Sequence, residues 1–392
     1  MKKGWQTKTL ADVLEKTETV NPLQSPNAEF DYIDVSSVSN TTFEIEETQR
    51  LKGKDAPSRA RKLVRTNDII FATIRPTLQR IAVVPEHLDK QVCSTGYFVL
   101  RPKQGIDHRF VFYSLFTENF IGQMESLQKG ASYPAVTDGD VRAQEIPVPP
   151  LAEQQRIVGL LDEAFEGLAT AKANAEKNLQ NARALFESHL QSVFTQRGPG
   201  WVEKRLGDVF TTATGTTPPK NNPDFYGDFM PLVKPPELCD EAFDSAPDGL
   251  SEAGAAVART LPAKSILVSC IGNLGKIGLN IVPVAFNQQI NAILPDESQA
   301  IPEFMFFQSL SPGFKSQLES LASGTTVPIV NKSKFNSVSV VLPPLSIQKP
   351  VVAQFSSLRE ETQHHAGFYE QKHAALAALK KSLLHQAFTG EL

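Results

Sequence analysis

Cysteine is scarce in this sequence. Cys93, Cys239 and Cys270 are odd in number and far apart, and no Cys-x-x-Cys or Cys/His cluster lies beside them. That pattern excludes a disulfide framework and gives no support for a zinc site, so the expectation is buried free thiols and no bound metal. Long apolar runs are absent as well. No apolar stretch follows the lysines of MKKGWQTKTL, and SILVSCIG is far short of a bilayer span, which points to a cytoplasmic protein with no membrane partner. An excess of positive charge is also lacking: 39 Lys and Arg stand against 43 Asp and Glu, a formal net charge of -4, so total charge argues nothing for nucleic-acid binding. What is there reads as globular, with 41% hydrophobic and 21% charged residues. At 392 residues the chain is too long for one ordinary core, and a prior of roughly 150 residues per domain suggests two or three units.

The two halves resemble each other. Gly4, Trp5, Lys8, Leu10, Asp12 and Val13 recur as Gly200, Trp201, Lys204, Leu206, Asp208 and Val209. DIIFATI (68–74) aligns with SILVSCI (265–271), and RIAVV (80–84) is echoed by KIGLN (276–280). ESLQKGASYPAV (125–136) meets ESLASGTTVPIV (319–330), and PPLAEQQRIV (149–158) meets PPLSIQKPVV (343–352). A period of roughly 195 residues is far longer than a solenoid unit of about 20–50, so each half is a domain plus its connector.

Within a half, β-rich runs such as DYIDVSSV, DIIFATI, GYFVLRP and INAILP are punctuated by Pro, Gly, Asn and Asp, with short helices between them, as in FVFYSLFTENFIGQMESL. That makes an α+β domain. Each half ends differently. From Glu153 to Phe194 there is no proline, and Ile157, Leu161, Ala164, Leu168, Ala171, Ala175, Leu179, Ala182, Leu185 and Val193 recur in steps of three and four, a narrow coiled-coil stripe. After Pro343-Pro344, Ser346 is placed to cap a second helix whose stripe runs through Val351, Phe355, Leu358, Leu376, Leu379, Leu383 and Phe388, with a polar break from Glu360 to His365. The expected organisation is a domain at 1–148, a connector helix at 149–198, a second domain at 199–342 and a second helix at 343–392. Run antiparallel, the helices would form a coiled coil with a domain at each end and a pseudo-two-fold axis, an arrangement suited to two half-sites on one duplex. Shortening either helix by one heptad is then expected to disturb the domain spacing.

These strings together resemble the specificity subunit of type I restriction-modification systems. In the first half they are APSRARKLVRTNDIIFATIRPTLQRIAVV, GYFVLRP, GASYPAV and PPLAEQQRIVGLLDEAF. In the second they are GTTPPKNNPDFYGDFMPLV, SILVSCIGNLGKIGLN, FNQQINAILP, PPLSIQKPVV and SLLHQAFTGEL. One departure is that Glu-Gln-Gln-Arg of the first helix start is Ile-Gln-Lys-Pro in the second, which removes an acid and an arginine. The resemblance implies two target-recognition domains, each reading half of a split sequence in double-stranded DNA. It also implies two methyltransferase subunits that use S-adenosylmethionine on adenine, and a motor-nuclease restriction subunit working with ATP and Mg. No cofactor is expected on this chain, and none of the catalysis. In keeping with this, the sequence has no Asn/Asp-Pro-Pro-Tyr/Phe motif and no G-x-x-x-x-G-K-[ST] loop, and Gly272, Gly275 and Lys276 have the wrong spacing to cradle phosphate.

Guanine reading favours Arg or Lys, adenine reading favours Asn or Gln, and thymine methyls accept small apolar contacts. A basic stretch from Arg50 to Arg65 also contains Lys52, Lys54, Arg59, Arg61 and Lys62 against Asp55 alone, and is either a solvated face or a phosphate contact. The first-domain candidates for DNA contact are Arg59, Arg61, Lys62, Arg75 and Arg80, with Ser132 and Tyr133 after Gly130. Those of the second are Lys220, Asn273, Lys276, Gln288, Gln289, Thr325, Thr326 and Lys332. For Asn287-Gln288-Gln289, DNA contact and structural hydrogen bonding stand equal. Two rival readings are a duplicated protein-binding scaffold with a helical spacer, and an enzyme with a cryptic site. The second finds little support, because His364, His365, His373 and His385 sit in the terminal helix, where solvation or helix pairing accounts for them.

Overall fold

A computed structural model describes residue 2, residues 4–324 and residues 326–392. The chain divides into two units, one made of residues 1–175 and 371–392, the other of residues 176–370. Each contains a mixed α/β domain and parts of two 45-residue helices, Leu151–Thr195 and Leu345–Thr389.

In the first unit the strand Gln6–Thr9 pairs antiparallel with Glu145–Val148, so the start of the domain is stitched to its end. Between them lie a four-stranded sheet in the order Gln49–Lys52, Glu29–Ile33, Val92–Ser94, Ala60–Leu63, and a three-stranded sheet in the order Ile81–Val83, Ile69–Ala72, Tyr97–Leu100. The central run of the second sheet is apolar on both faces. Ile69 and Phe71 pack with Phe98, Leu10, Val111 and Met124, while Ile70 and Ala72 pack with Ile33, Cys93 and Val99. Period-two alternation places neighbouring residues on opposite faces, and this strand is covered on both, so the run has no polar member.

The second unit repeats the plan. Val202–Arg205 pairs with Ser339–Leu342, and Ile266–Ser269 lies between Ile290–Leu294 and Ile277–Asn280 in a five-stranded sheet edged by Thr211–Thr214 and Glu241–Phe243. Ile266 and Val268 join one core cluster, Leu267 another.

Both long helices run unbroken where a stripe was expected, and the row that turns inward follows strict steps of four and three. In the first helix it is Gln154, Val158, Leu161, Phe165, Leu168, Lys172, Ala175, Leu179, Ala182, Phe186, His189 and Val193, all partly or wholly buried except Lys172, which is exposed. In the second it is Gln348, Val352, Phe355, Arg359, Thr362, Ala366, Tyr369, His373, Leu376, Lys380, Leu383 and Ala387, again with one exposed member, His373. This corrects the expected stripe at two leucines: Leu185 and Leu379 are 63% and 48% exposed, and their neighbours Phe186 and Lys380 turn inward instead. Lys380 occupies an apolar row because its ammonium lies 4.9 Å from the Phe43 ring, 5.1 Å from Phe165 and 6.0 Å from Phe116. In the other unit Arg359 lies 5.2 Å from Phe306. The polar stretch from Glu360 to His365 does not interrupt the helix, since Thr362 carries the row through it. Within the first unit the two helices run antiparallel, with Arg156 donating to the Leu392 carbonyl at 2.8 Å while Lys380 meets Phe165. Within the second, His189 and Phe194 flank Phe355.

The helix starts are built from one residue type. The buried Gln154 accepts from the Asp107 amide at 2.8 Å and donates to the Pro149 carbonyl at 2.8 Å and the Gly105 carbonyl at 3.4 Å. Gln348 accepts from the Ile301 amide at 2.8 Å and donates to the carbonyls of Pro343 at 2.9 Å and Gln299 at 3.0 Å. Each glutamine fastens the first turn of its helix to the domain before it. The second helix begins at Leu345, so Ser346 lies inside the first turn rather than preceding it as a cap. Cys93 and Cys270 are buried free thiols, both pushed up to about 12 by burial, whereas Cys239 is exposed, contrary to expectation.

Candidate nucleic-acid interface

The basic run from Arg50 to Arg65 does not form one face. Gln49–Lys52 and Ala60–Leu63 are opposite edges of the same four-stranded sheet, which parts the cations of one strand from those of the other. Several are also held by the protein. Arg50 pairs with Asp31 at 2.8 Å and Arg65 with Glu18 at 2.5 Å. Lys62 is only 16% exposed, and its ammonium donates to Asp138 at 2.8 Å and to the Tyr97 carbonyl at 2.6 Å. Arg61 donates to Asn21 and to the Ser58 carbonyl, and Arg80 to the Val38 carbonyl at 2.6 Å. Arg59 is exposed in the turn that opens the strand Ala60–Leu63.

Backbone hydrogen bonds gather three of the candidates in one place. After the strand Ile69–Ala72, the Thr73 amide donates to Gly96 at 2.9 Å, the Val136 amide donates to Thr73 at 2.9 Å, and the Arg75 amide donates to Pro134 at 2.7 Å. Lys129 and Ala135 exchange bonds at 2.9 Å and close the loop that carries Ser132 and Tyr133. The turn at Gly96 is joined to Arg59 through the Thr95 amide, at 2.8 Å. Gly130 opens the loop at φ +104°, and a Cβ there would stand 3.0 Å from the Tyr133 carbonyl, so only glycine fits without strain. Tyr133 is 72% exposed, and the Arg75 guanidinium lies 5.0 Å from its ring. Arg75 itself has φ +49°, a left-handed conformation costing a non-glycine residue about 1–2 kcal/mol. Leu78, on the same short turn, is 43% exposed; no sequence signal separated it from the core leucines.

The second unit builds the same frame. The Cys270 amide donates to Gln289 at 2.8 Å, the Val330 amide to Cys270 at 2.9 Å and the Gly272 amide to Pro328 at 3.0 Å, while Ser323 and Ile329 exchange bonds at 3.0 and 2.8 Å. Gly324 repeats φ +104°, and Gly272, at φ +77°, stands where the first unit has Arg75. The side chains differ. Thr326 and Val327 are exposed on the loop, and Gln288 is exposed and accepts from Thr217 at 2.9 Å. In the amide cluster, Asn287 is buried and bonds both the backbone and the side chain of Gln289, at 3.1 and 3.0 Å. Asn273 is exposed one residue after Gly272. Lys276 is half-buried beside it, its amide donating to Ser269 at 2.9 Å. Lys220 is exposed in a turn, and Lys332 is exposed at the start of the helix Lys332–Asn336 capped by Asn331. Thr325 lies outside the described residues. Among the described residues no group of His, Cys, Asp and Glu could hold a metal ion, and no helix is long and apolar enough to cross a membrane.

The same rim is therefore built twice with different chemistry: arginine and tyrosine in the first unit, hydroxyls, amides and small apolar groups in the second. Comparison with known proteins agrees with this doubled plan. The family described as "Type I restriction modification DNA specificity domain" matches residues 2–179 and again 199–370. The HindI specificity subunit of Haemophilus influenzae is 28% identical, with 84% of this chain and 88% of that protein aligned. The MjaIX specificity subunit of Methanocaldococcus jannaschii is 22% identical over 82% of this chain and 77% of that protein. Among solved structures, a chain from work on complex assembly and conformational transition of the type I R-M system has a TM-score of 0.87 at 28% identity, covering 100% of this chain and 99% of that one. The HsdS subunit from Thermoanaerobacter tengcongensis has a TM-score of 0.66, also at 28% identity, over 100% and 98%. With both repeats matched by the family and the whole length shared with its solved members, the chain belongs to the DNA specificity subunits of type I restriction-modification systems.

Proposed function

We propose that this chain reads a bipartite, asymmetric sequence in double-stranded DNA, one half-site per unit, and holds two methyltransferase subunits, and with them a restriction subunit, on that target. The observation that carries this reading is the doubled rim. An identical backbone frame presenting unlike side chains gives two readers of one design and different preference, as base-edge recognition requires. In this reading the chain is not itself catalytic: S-adenosylmethionine belongs to the methyltransferase subunits, and ATP and Mg to the restriction subunit. Cations spent on internal partners, among them Lys62, Arg65 and Arg80, leave few for phosphates. Affinity then depends on contacts added by the partners, with log K falling against log salt by about 0.9 for every phosphate neutralised.

The test is to express the chain with its methyltransferase subunit and map methylated adenines across the host genome. The expected result is a split, non-palindromic motif, with rim substitutions in one unit changing one half only. A contiguous motif, or a complex showing no salt-dependent binding to duplex DNA, overturns the proposal; the second outcome is what a protein-binding scaffold would give.

A further inference from the structure

Resting on the half-site reading above, we infer that Arg75, laid against Tyr133, reads a guanine in the half-site taken by the first unit. Several neighbouring cations of this unit are committed, Lys62 to Asp138, Arg65 to Glu18, Arg101 to Asp68 and Glu18, and Arg80 to a row of backbone carbonyls, while Arg59 is exposed in a turn and lacks the aromatic support that Arg75 has. Arg75 has no carboxylate partner among the described residues. Among the described residues its guanidinium meets only the Tyr133 ring, at 5.0 Å, and the Ser132 carbonyl through one long bond of 3.4 Å. Most of its donors are therefore open on an exposed rim.

Two features separate base reading from phosphate binding. A phosphate accepts a guanidinium from many directions, whereas the O6 and N7 atoms of guanine accept the planar fork in one orientation. The site invests in orientation. The Tyr133 ring, itself 72% exposed, restrains the arginine plane, and the backbone holds Arg75 at φ +49°, where the matching position of the second unit is a glycine. A left-handed arginine persists only where the surroundings over-determine it, here through its amide bond to Pro134 at 2.7 Å. The second unit, with Gly272 at that position, lacks this contact, so its half-site is read by other means.

The experiment uses the chain assembled with its methyltransferase subunits, with methylation mapped for the parent, Arg75→Gly, Arg75→Lys and Tyr133→Ala. Glycine suits the left-handed backbone, so Arg75→Gly should melt no lower than the parent. The expected result is that one G·C pair, strict in one half-site of the parent motif, becomes degenerate in Arg75→Gly. Discrimination there should fall about ten- to hundredfold, the other half-site staying unchanged. Arg75→Lys should lose part of that discrimination while keeping affinity, and Tyr133→Ala should relax the same base pair. If Arg75→Gly instead weakens binding equally for all sequences and lowers the salt slope by about 0.9, Arg75 holds a phosphate; the inference is overturned while the half-site reading stands. If single-unit substitutions degrade both half-sites together, the half-site reading itself has failed.

Discussion

Gln154→Ala tests how each long helix is fastened to its domain. The side chain is 1% exposed, so water does not replace what it supplies. Truncation strands the Asp107 amide and the Pro149 carbonyl, each now held at 2.8 Å, and the weaker 3.4 Å contact to Gly105 adds little. A buried group left without a partner costs about 1–3 kcal/mol, so two give about 2–6 kcal/mol of lost stability in the first unit. Gln348→Ala removes three bonds of 2.8–3.0 Å from the second unit and should cost at least as much. Gln155, next along the helix and exposed, is the control, with an expected effect within about 0.5 kcal/mol. Urea denaturation gives the loss, and hydrogen exchange locates it, because the Asp107 amide should exchange faster in Gln154→Ala alone. A midpoint for Gln154→Ala that matches Gln155→Ala would refute the reasoning, since it would mean those groups find other partners at no cost.

Two further predictions concern the same helices. Glu153 is held down at about 2 by Arg156, at 2.7 Å, and by Lys2, at 3.1 Å. Its carboxylate is lowered in the folded state, so its stabilisation is present above its ordinary value of 4.5 and is lost as pH falls toward about 2. Urea midpoints between pH 5 and 2.5 should therefore fall more steeply for the parent than for Glu153→Gln, and parallel curves would contradict the pairing. Along the stripes, Leu185→Ala and Leu379→Ala should change stability by less than about 0.5 kcal/mol. Leu190→Ala and Leu384→Ala, at 1% and 5% exposure and buried in core clusters with domain residues, should cost about 2–5 kcal/mol by thermal denaturation, and equal effects at all four sites would contradict the observed burial.

By itself the sequence determined the α+β class, the doubling and the two long helices. These rest on local signals: β-rich runs such as DIIFATI, the proline-free run from Glu153 to Phe194, and strings recurring about 195 residues apart. It also brought Arg75, Ser132 and Tyr133 into view, since a strand end and a glycine-led loop are visible locally. The tertiary structure decided which residues of a stripe turn inward, because Leu185 against Phe186 and Leu379 against Lys380 differ by one residue, about 100° around a helix, and only the packed neighbours choose. Tertiary structure also decided which cations are free. The run from Arg50 to Arg65 is continuous in sequence yet falls on opposite sheet edges, and Lys62 and Arg80 are taken up by partners 76 and 42 residues away in the chain. Charge is written in the chain, but its availability depends on distant groups that only folding brings near.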